Sequence, residues 1–281
     1  MAEKDIIKAI KNKGKDLESE MSFFDHLETL RWHLIRSAIA VVVCGIAAFW
    51  YFDYVFENVV MGPFHINFWT YRMMCKFGYC IHKINGIIIN TELAGQFMLK
   101  LNTSILLGVI VAFPYILFEI WRFIRPALLD NERKAASGFV FYATALFVTG
   151  ILFGYYLIAP EGIIFLTNYN ISNTIANQFT ITSYLSAIST ITLLSGIVFE
   201  LPIIIYILAS LGILTGTFMR KTRRYSIIII MIVGAVISPS PDILSTTVAT
   251  IPLLILYELG IVIASRIEKR KIKEHEEMMT S

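Results

Sequence analysis

Charge is what this sequence has least of. Of its 281 residues only 16% are Asp, Glu, Lys or Arg, against about a quarter in an ordinary soluble domain. Hydrophobic residues make up 56%, where about 45–50% is usual, so a soluble surface for a chain of this size is excluded. That apolar content also excludes a disordered chain. Cysteine is nearly absent, with three residues, which rules out a disulfide-dense secreted scaffold. Glycine and proline, 16 and 8, show no collagen-like period. Catalytic signatures are missing too: there is no phosphate-binding loop, no nucleophile elbow and no HExxH. The five histidines, His26, His33, His65, His82 and His275, have no metal-ligand spacing. We therefore expect no enzyme, no metal and no cofactor. No internal repeat is visible, which counts against a small-solute transporter built from inverted halves.

What is present is apolar runs. Six windows stand out, at Trp32–Trp50, Phe97–Phe118, Phe139–Ala159, Leu185–Leu211, Tyr225–Ile237 and Leu244–Ala264. A helix crossing the ~30 Å hydrocarbon core needs ~20 residues. The fifth window is short, lying between Arg224 and Pro239, and reads either as a re-entrant segment or as a crossing where the bilayer thins. Parity favours the crossing. The sixth carries Pro252 and Glu258 inside it.

Basic residues set the orientation. Lys4, Lys8, Lys11, Lys13, Lys15, Arg31 and Arg36 precede or open the first span. Arg122, Arg125, Arg133 and Lys134 fill the loop after the second, and Arg220, Lys221, Arg223 and Arg224 the loop before the fifth. Arg266, Lys269, Arg270, Lys271 and Lys273 follow the sixth. On the other side are only Arg72, Lys76 and Lys83, with Lys100 at the start of the second span. The positive-inside rule then places both termini in the cytoplasm. Topology already accounts for these charges, so nucleic acid is not an expected partner.

The expected fold is an all-α polytopic membrane protein with six transmembrane helices. Residues 1–21 form a polar tail, 22–265 a single membrane domain and 266–281 a basic tail. Outer loops are expected at about 53–95, 160–184 and 238–243. Residues 1–20 lack the apolar core of a signal peptide and the Arg/Ser bias of a transit peptide. From Ser22, a capping-box-like start followed by Phe23, Leu27, Leu30 and Leu34 predicts a short amphipathic helix on the cytoplasmic interface. Trp50, Tyr51, Trp121, Phe123, Tyr155 and Tyr225 sit near span ends, where such rings anchor in headgroups.

Acidic residues inside the apolar runs are the sharpest functional signal, since mid-bilayer charge costs ~2.5–3.5 kcal/mol on the mildest scale. Glu200, in Ile197-Val-Phe-Glu-Leu-Pro202, is the main candidate. The bland alternative is a neutral glutamic acid tying two helices together. Glu258 reads equally well as a group packing toward the cytoplasmic interface. Glu119 is expected to pair with Arg122 or Arg125 of its own segment. Cys44 lies inside the first span as an apolar residue. Cys75 and Cys80 share the first outer loop, where an oxidising compartment would allow a disulfide, though spacing alone does not establish the geometry.

The stretch Phe113-Pro114-Tyr-Ile-Leu-Phe-Glu119-Ile-Trp121-Arg-Phe123-Ile-Arg-Pro126-Ala-Leu-Leu-Asp-Asn-Glu132-Arg133-Lys134 closely resembles the signature of the TatC family. That family is the multi-spanning subunit of twin-arginine, Sec-independent protein translocases. His26-Leu27-Glu28-Thr29-Leu30-Arg31 resembles its N-terminal motif, His-Leu-x-Glu-Leu-Arg. Phe199-Glu200-Leu-Pro202, Pro239-Ser-Pro241-Asp242 and Pro63 resemble its other landmarks.

The resemblance implies a core receptor in the cell inner membrane. It would bind twin-arginine signal peptides of folded cargo at the cytoplasmic face and recruit TatA/TatB-type single-span partners. Transport would draw on the proton-motive force, within an oligomeric translocase complex in the lipid bilayer. It assigns signal contact to Glu132, with Arg31 and Phe123 nearby. The family's second signal-reading glutamate falls at Thr29, which carries no charge. Glu28 next to it, Asp25 one turn earlier, or Glu132 alone remain open for this role, with Glu28 the reading taken here. Glu200 matches the family's intramembrane glutamate on the concave side of its scaffold. The purpose of the long first outer loop stays open between a cap over the spans and a contact for the inserted signal. A purely structural scaffold would leave the cytoplasmic motifs without purpose.

Overall fold

The computed structural model describes residues 27–76, 78, 80, 86–124, 138–172, 177–238, 240 and 243–280. Helices dominate: α1 (Leu27–Trp50), α2 (Gly95–Ile124), α3 (Phe139–Asn168), α4 (Ile181–Ser210), α5 (Gly216–Ile237) and α6 (Ile243–Thr280). Five of them, α5 excepted, contain runs long and apolar enough to cross a membrane. The helix of α5 is itself long, but Arg220, Lys221, Arg223 and Arg224 occupy its first half and leave only the Tyr225–Ile237 half apolar. The amphipathic helix expected to precede the first span is not separate over the described residues, because α1 runs without a break from Leu27. Ser22 and Phe23 lie outside them.

Local sequence explains the element ends. Thr180 caps α4, its Oγ1 accepting from the Ser183 amide at 3.2 Å, and Thr215 caps α5 through the Phe218 amide at 3.2 Å. The chain turns at Glu200, splitting α4 into Ile181–Phe199 and Leu201–Ser210. Pro202 supplies no N–H, while the amides of Ile203 and Ile204 both donate to the Glu200 carbonyl. The middle of α3 relaxes into a π-helical turn over Gly154–Ile158.

Interhelical contacts sort the ends. The start of α1 meets the end of α2 through His33 and Glu119, and Trp121 of α2 stacks on Phe139 at the start of α3, 4.3 Å between centroids. Lys271 of α6 donates to the Ser210 carbonyl at the end of α4, and Arg223 of α5 pairs with Glu258 of α6 at 2.7 Å. Thus the starts of α1, α3 and α5 and the ends of α2, α4 and α6 gather at one end of the molecule, which holds most of the described Lys and Arg. The core lies between α3, α4 and α6, around Ile188, Ile191, Phe199, Ile205, Leu253 and Leu256. Val43, Val111, Phe141, Ile229 and Val236 face outward, a surface suited to hydrocarbon.

At the opposite end the segment after α1 is a packed cap rather than an open loop. It contains the short helix Trp69–Lys76 and the strand β1 (Ile87–Ile89), which pairs in parallel with β2 (Gln178–Thr180), Ile88 opposite Phe179. The all-α expectation therefore misses a two-stranded ribbon, and the loop expected over 160–184 is shortened by α3 continuing to Asn168. Three tyrosines fasten the cap: Tyr71 donates to the Pro63 carbonyl at 2.6 Å, Tyr184 to Val60 at 2.8 Å, and Tyr155 to Val59. Burial pushes the Tyr71 phenol above its ordinary range. Tyr155 is thus a strut for the cap, not the headgroup anchor expected, and Trp121 is buried packing for the same reason. Cys75 and Cys80 form a disulfide on the exposed side of this cap.

Candidate functional site

The basic end is built around α1, whose apolar window is only 6% buried. Two contacts hold it on α2. Near the middle, a Cβ on Gly108 would come within 2.8 Å of the Gly45 backbone, so only glycine permits this approach of the two helices. Twelve residues nearer the start of α1, roughly 18 Å along the helix, lies the second contact. There the His33 ring hydrogen-bonds Glu119 Oε2, Tyr115 donates to Glu119 Oε1 at 2.9 Å, and Arg36 Nη1 stands 3.9 Å from Oε2. Phe123 meets the His33 ring edge-on at 6.1 Å. Glu119 is 2% exposed.

This corrects the expectation for Glu119. Among the described residues its partners come from α1 and from Tyr115, one turn back on α2, instead of the arginines that follow it. His33 was missed as the partner of Glu119. A signal was available: Thr29, His33 and Arg36 follow i, i+4, i+7 spacing, a polar stripe on one face of an apolar helix.

Glu28 lies off that stripe. Trp32 Nε1 donates to its Oε1 at 3.0 Å, and Arg31 Nη1 stands 3.6 Å from its Oε2. Both side chains of this ion pair are more than half exposed, so the pair contributes less than about 1 kcal/mol and yields readily to another guanidinium. Thr29, the position of the missing glutamate, is exposed. Asp25, Arg125, Pro126, Glu132 and Asp242 lie outside the described residues, so of the two arginines expected to pair with Glu119 only Arg122 is placed.

Glu200 is 7% exposed, and neither of its carboxyl oxygens has a hydrogen-bond partner among the described residues. Packing fixes its position. Gly150 of α3 lies so close to α4 that a Cβ there would sit 2.7 Å from the Cβ of Phe199, Glu200's neighbour. Pro114 lies inside α2, and Pro63 is buried in the cap under Tyr71. Glu258, whose role was open, is paired with Arg223 at the basic end. No group of three or more His, Cys, Asp or Glu that could hold a metal occurs among the described residues.

Comparison with known proteins agrees with this architecture. The model of the TatC family, described as Sec-independent protein translocase protein (TatC), matches residues 25–252. The Sec-independent protein translocase protein TatC of Blattabacterium sp. subsp. Periplaneta americana is 37% identical over 266 residues, covering 92% of this chain and all of that relative. Its counterpart from Carboxydothermus hydrogenoformans is 35% identical over 254 residues, covering 90% and 97%. A crystal structure of the twin arginine translocase receptor TatC superposes with a TM-score of 0.65 at 30% identity, covering 86% of this chain and 99% of that one. The chain belongs to the TatC family, the integral membrane component of the Sec-independent protein translocase.

Proposed function

We propose that this protein is the core receptor of a twin-arginine export system, with six spans and both termini in the cytoplasm of a cell bounded by this inner membrane. The basic end of the bundle binds the paired arginines of a folded cargo's signal peptide. Glu28 and Glu132 supply the carboxylates, and Arg31, Phe123 and Asp25 take part in binding the signal. TatA/TatB-type single-span proteins join the complex, and the proton-motive force drives passage.

The observation that carries this reading is the exposed, weakly committed Glu28 carboxylate on a helix fixed by the His33–Glu119 contact. Guanidinium groups pair best with carboxylates in bidentate geometry at a partly dry surface, which the rim of a membrane bundle offers. Arg31 already stands beside Glu28 in an exposed pair, so an incoming arginine exchanges one surface pair for another at little cost. Within the same reading, Glu200 keeps a polar notch in the bilayer for a partner's polar group or for the passage of cargo. Its two oxygens, which have no hydrogen-bond partner among the described residues, support that role.

The test is a photo-crosslinker placed at Glu132 and offered a twin-arginine signal peptide or its twin-lysine variant. Preferential capture of the arginine form is expected, and capture of neither refutes the receptor. In the same assay Glu28→Gln weakens binding while Thr29→Ala leaves it unchanged. Equal binding by Glu28→Gln and the unaltered protein would remove Glu28 from the site.

A further inference from the structure

A cavity of about 450 Å³ opens on the outside of the bundle at its basic end, between the start of α3, the second half of α4 and the late part of α6. Gly138 and Tyr142, Pro202 and Tyr206, and Ile263 line it with apolar surface, and Arg266 is the one charged side chain among the described lining residues. Tyr142 is 65% exposed and Leu259 50%, so the cavity opens toward whatever surrounds the helices. It takes no part in the site formed by α1 and α2.

We propose that this groove holds one anionic phospholipid, an acyl chain against the apolar walls and the phosphate on Arg266. Three features select that occupant. Water gains few hydrogen bonds from walls that are mostly apolar, while hydrocarbon fits them. A partner helix is 10–12 Å across and packs along several turns. This cavity spans only residues 138–146 of α3, 202–206 of α4 and 259–267 of α6, roughly 12 Å along the longest of them. Charge then chooses among lipids. Arg266, Lys269, Arg270 and Lys273 follow i, i+3, i+4, i+7 spacing and put a basic stripe on one face of α6, continuing from the groove's mouth. Basic pockets between helices on the basic side of a membrane protein are the sites that take anionic headgroups. The acid within that stretch, Glu268, accepts from the Thr217 amide and hydroxyl of α5.

Native mass spectrometry of the full chain in detergent tests this, with phosphatidylglycerol and phosphatidylcholine of identical acyl chains added in turn. The unaltered protein is expected to retain phosphatidylglycerol preferentially. Arg266→Gln reduces that preference about fivefold, the effect of one interfacial charge. Lys221→Gln, which removes a charge from the same end outside the groove, leaves it unchanged. Ile263→Trp fills the cavity and releases both lipids. An unchanged preference in Arg266→Gln overturns the proposal. So does an Ile263→Trp protein that keeps its lipid but loses a co-purifying single-span partner, which would give the groove to a helix. Arg266 is exposed, so its replacement leaves the packing intact and decides the question even where Ile263→Trp fails to fold.

Discussion

Leucine at His33 is predicted to cost more than leucine at His33 and Glu119 together. The His33 ring is the main partner of one oxygen of a carboxyl that is 2% exposed. Removing the partner of a buried carboxyl costs up to about 3–5 kcal/mol, because the carboxyl is left uncompensated. Here Glu119 keeps the Tyr115 hydroxyl at 2.9 Å and Arg36 at 3.9 Å, so the cost falls below that range, at about 2–3 kcal/mol for His33→Leu. Glu119→Leu strands a buried imidazole and costs about 1–3 kcal/mol. In the double variant no buried polar group of the pair remains, and apolar replacements of buried pairs are frequently neutral. Tyr115, partly exposed, finds another acceptor at the membrane surface. The double variant should therefore lie within about 1 kcal/mol of the unaltered protein, giving a coupling energy of roughly 2 kcal/mol or more. Reversible unfolding of the full chain in mixed micelles measures all four corners of the cycle. Additivity of the two single effects within about 0.5 kcal/mol would refute the claim that these residues form one contact.

The remaining predictions concern other points of the scaffold. Gly108→Ala places a methyl group 2.8 Å from backbone atoms of Gly45 and Val41, none of which can rotate aside, and should destabilise the protein by about 1–3 kcal/mol in the same unfolding assay. A variant as stable as the original would show that α1 does not depend on this approach. Tyr71→Phe leaves the buried Pro63 carbonyl without its 2.6 Å donor and should cost about 1–3 kcal/mol, read as faster amide exchange over residues 59–64. Because burial raises the Tyr71 pKa, its folded form holds the proton more tightly. Its contribution is full below the ordinary tyrosine pKa of about 10 and is lost as pH rises past it toward the folded value. Cap exchange that is unchanged well above that pH would oppose this. Glu200→Ala should preserve capture of a twin-arginine peptide and abolish export, whereas loss of capture would move Glu200 to the receptor site.

How far the sequence can be read depends on whether a property belongs to one segment or to two. The apolar runs and the sorting of Lys and Arg are properties of single segments, so the long helices and the shared basic end were legible from composition along the chain. Glu200 was legible for the same reason, since a carboxyl within an apolar run stands out without knowledge of its neighbours. What escaped were pairings. Glu119 was assigned to arginines near it in sequence, yet among the described residues its partner His33 sits 86 residues away on α1. The three-residue strands Ile87–Ile89 and Gln178–Thr180 are too short for any periodicity to announce them, and they exist because the cap brings their edges together. Tyr155 and Trp121 were placed at the membrane surface by their position near span ends, a rule that concerns rings with no better partner. Each found one, the Val59 carbonyl and the face of Phe139. The polar residues of α1 could still have been paired by depth. His33 lies at the opening of the first apolar window, next to Trp32, and Glu119 at the close of the second, next to Phe118. Two antiparallel helices entering from the same side must bring such residues level, and in a bilayer neither can remain without a partner.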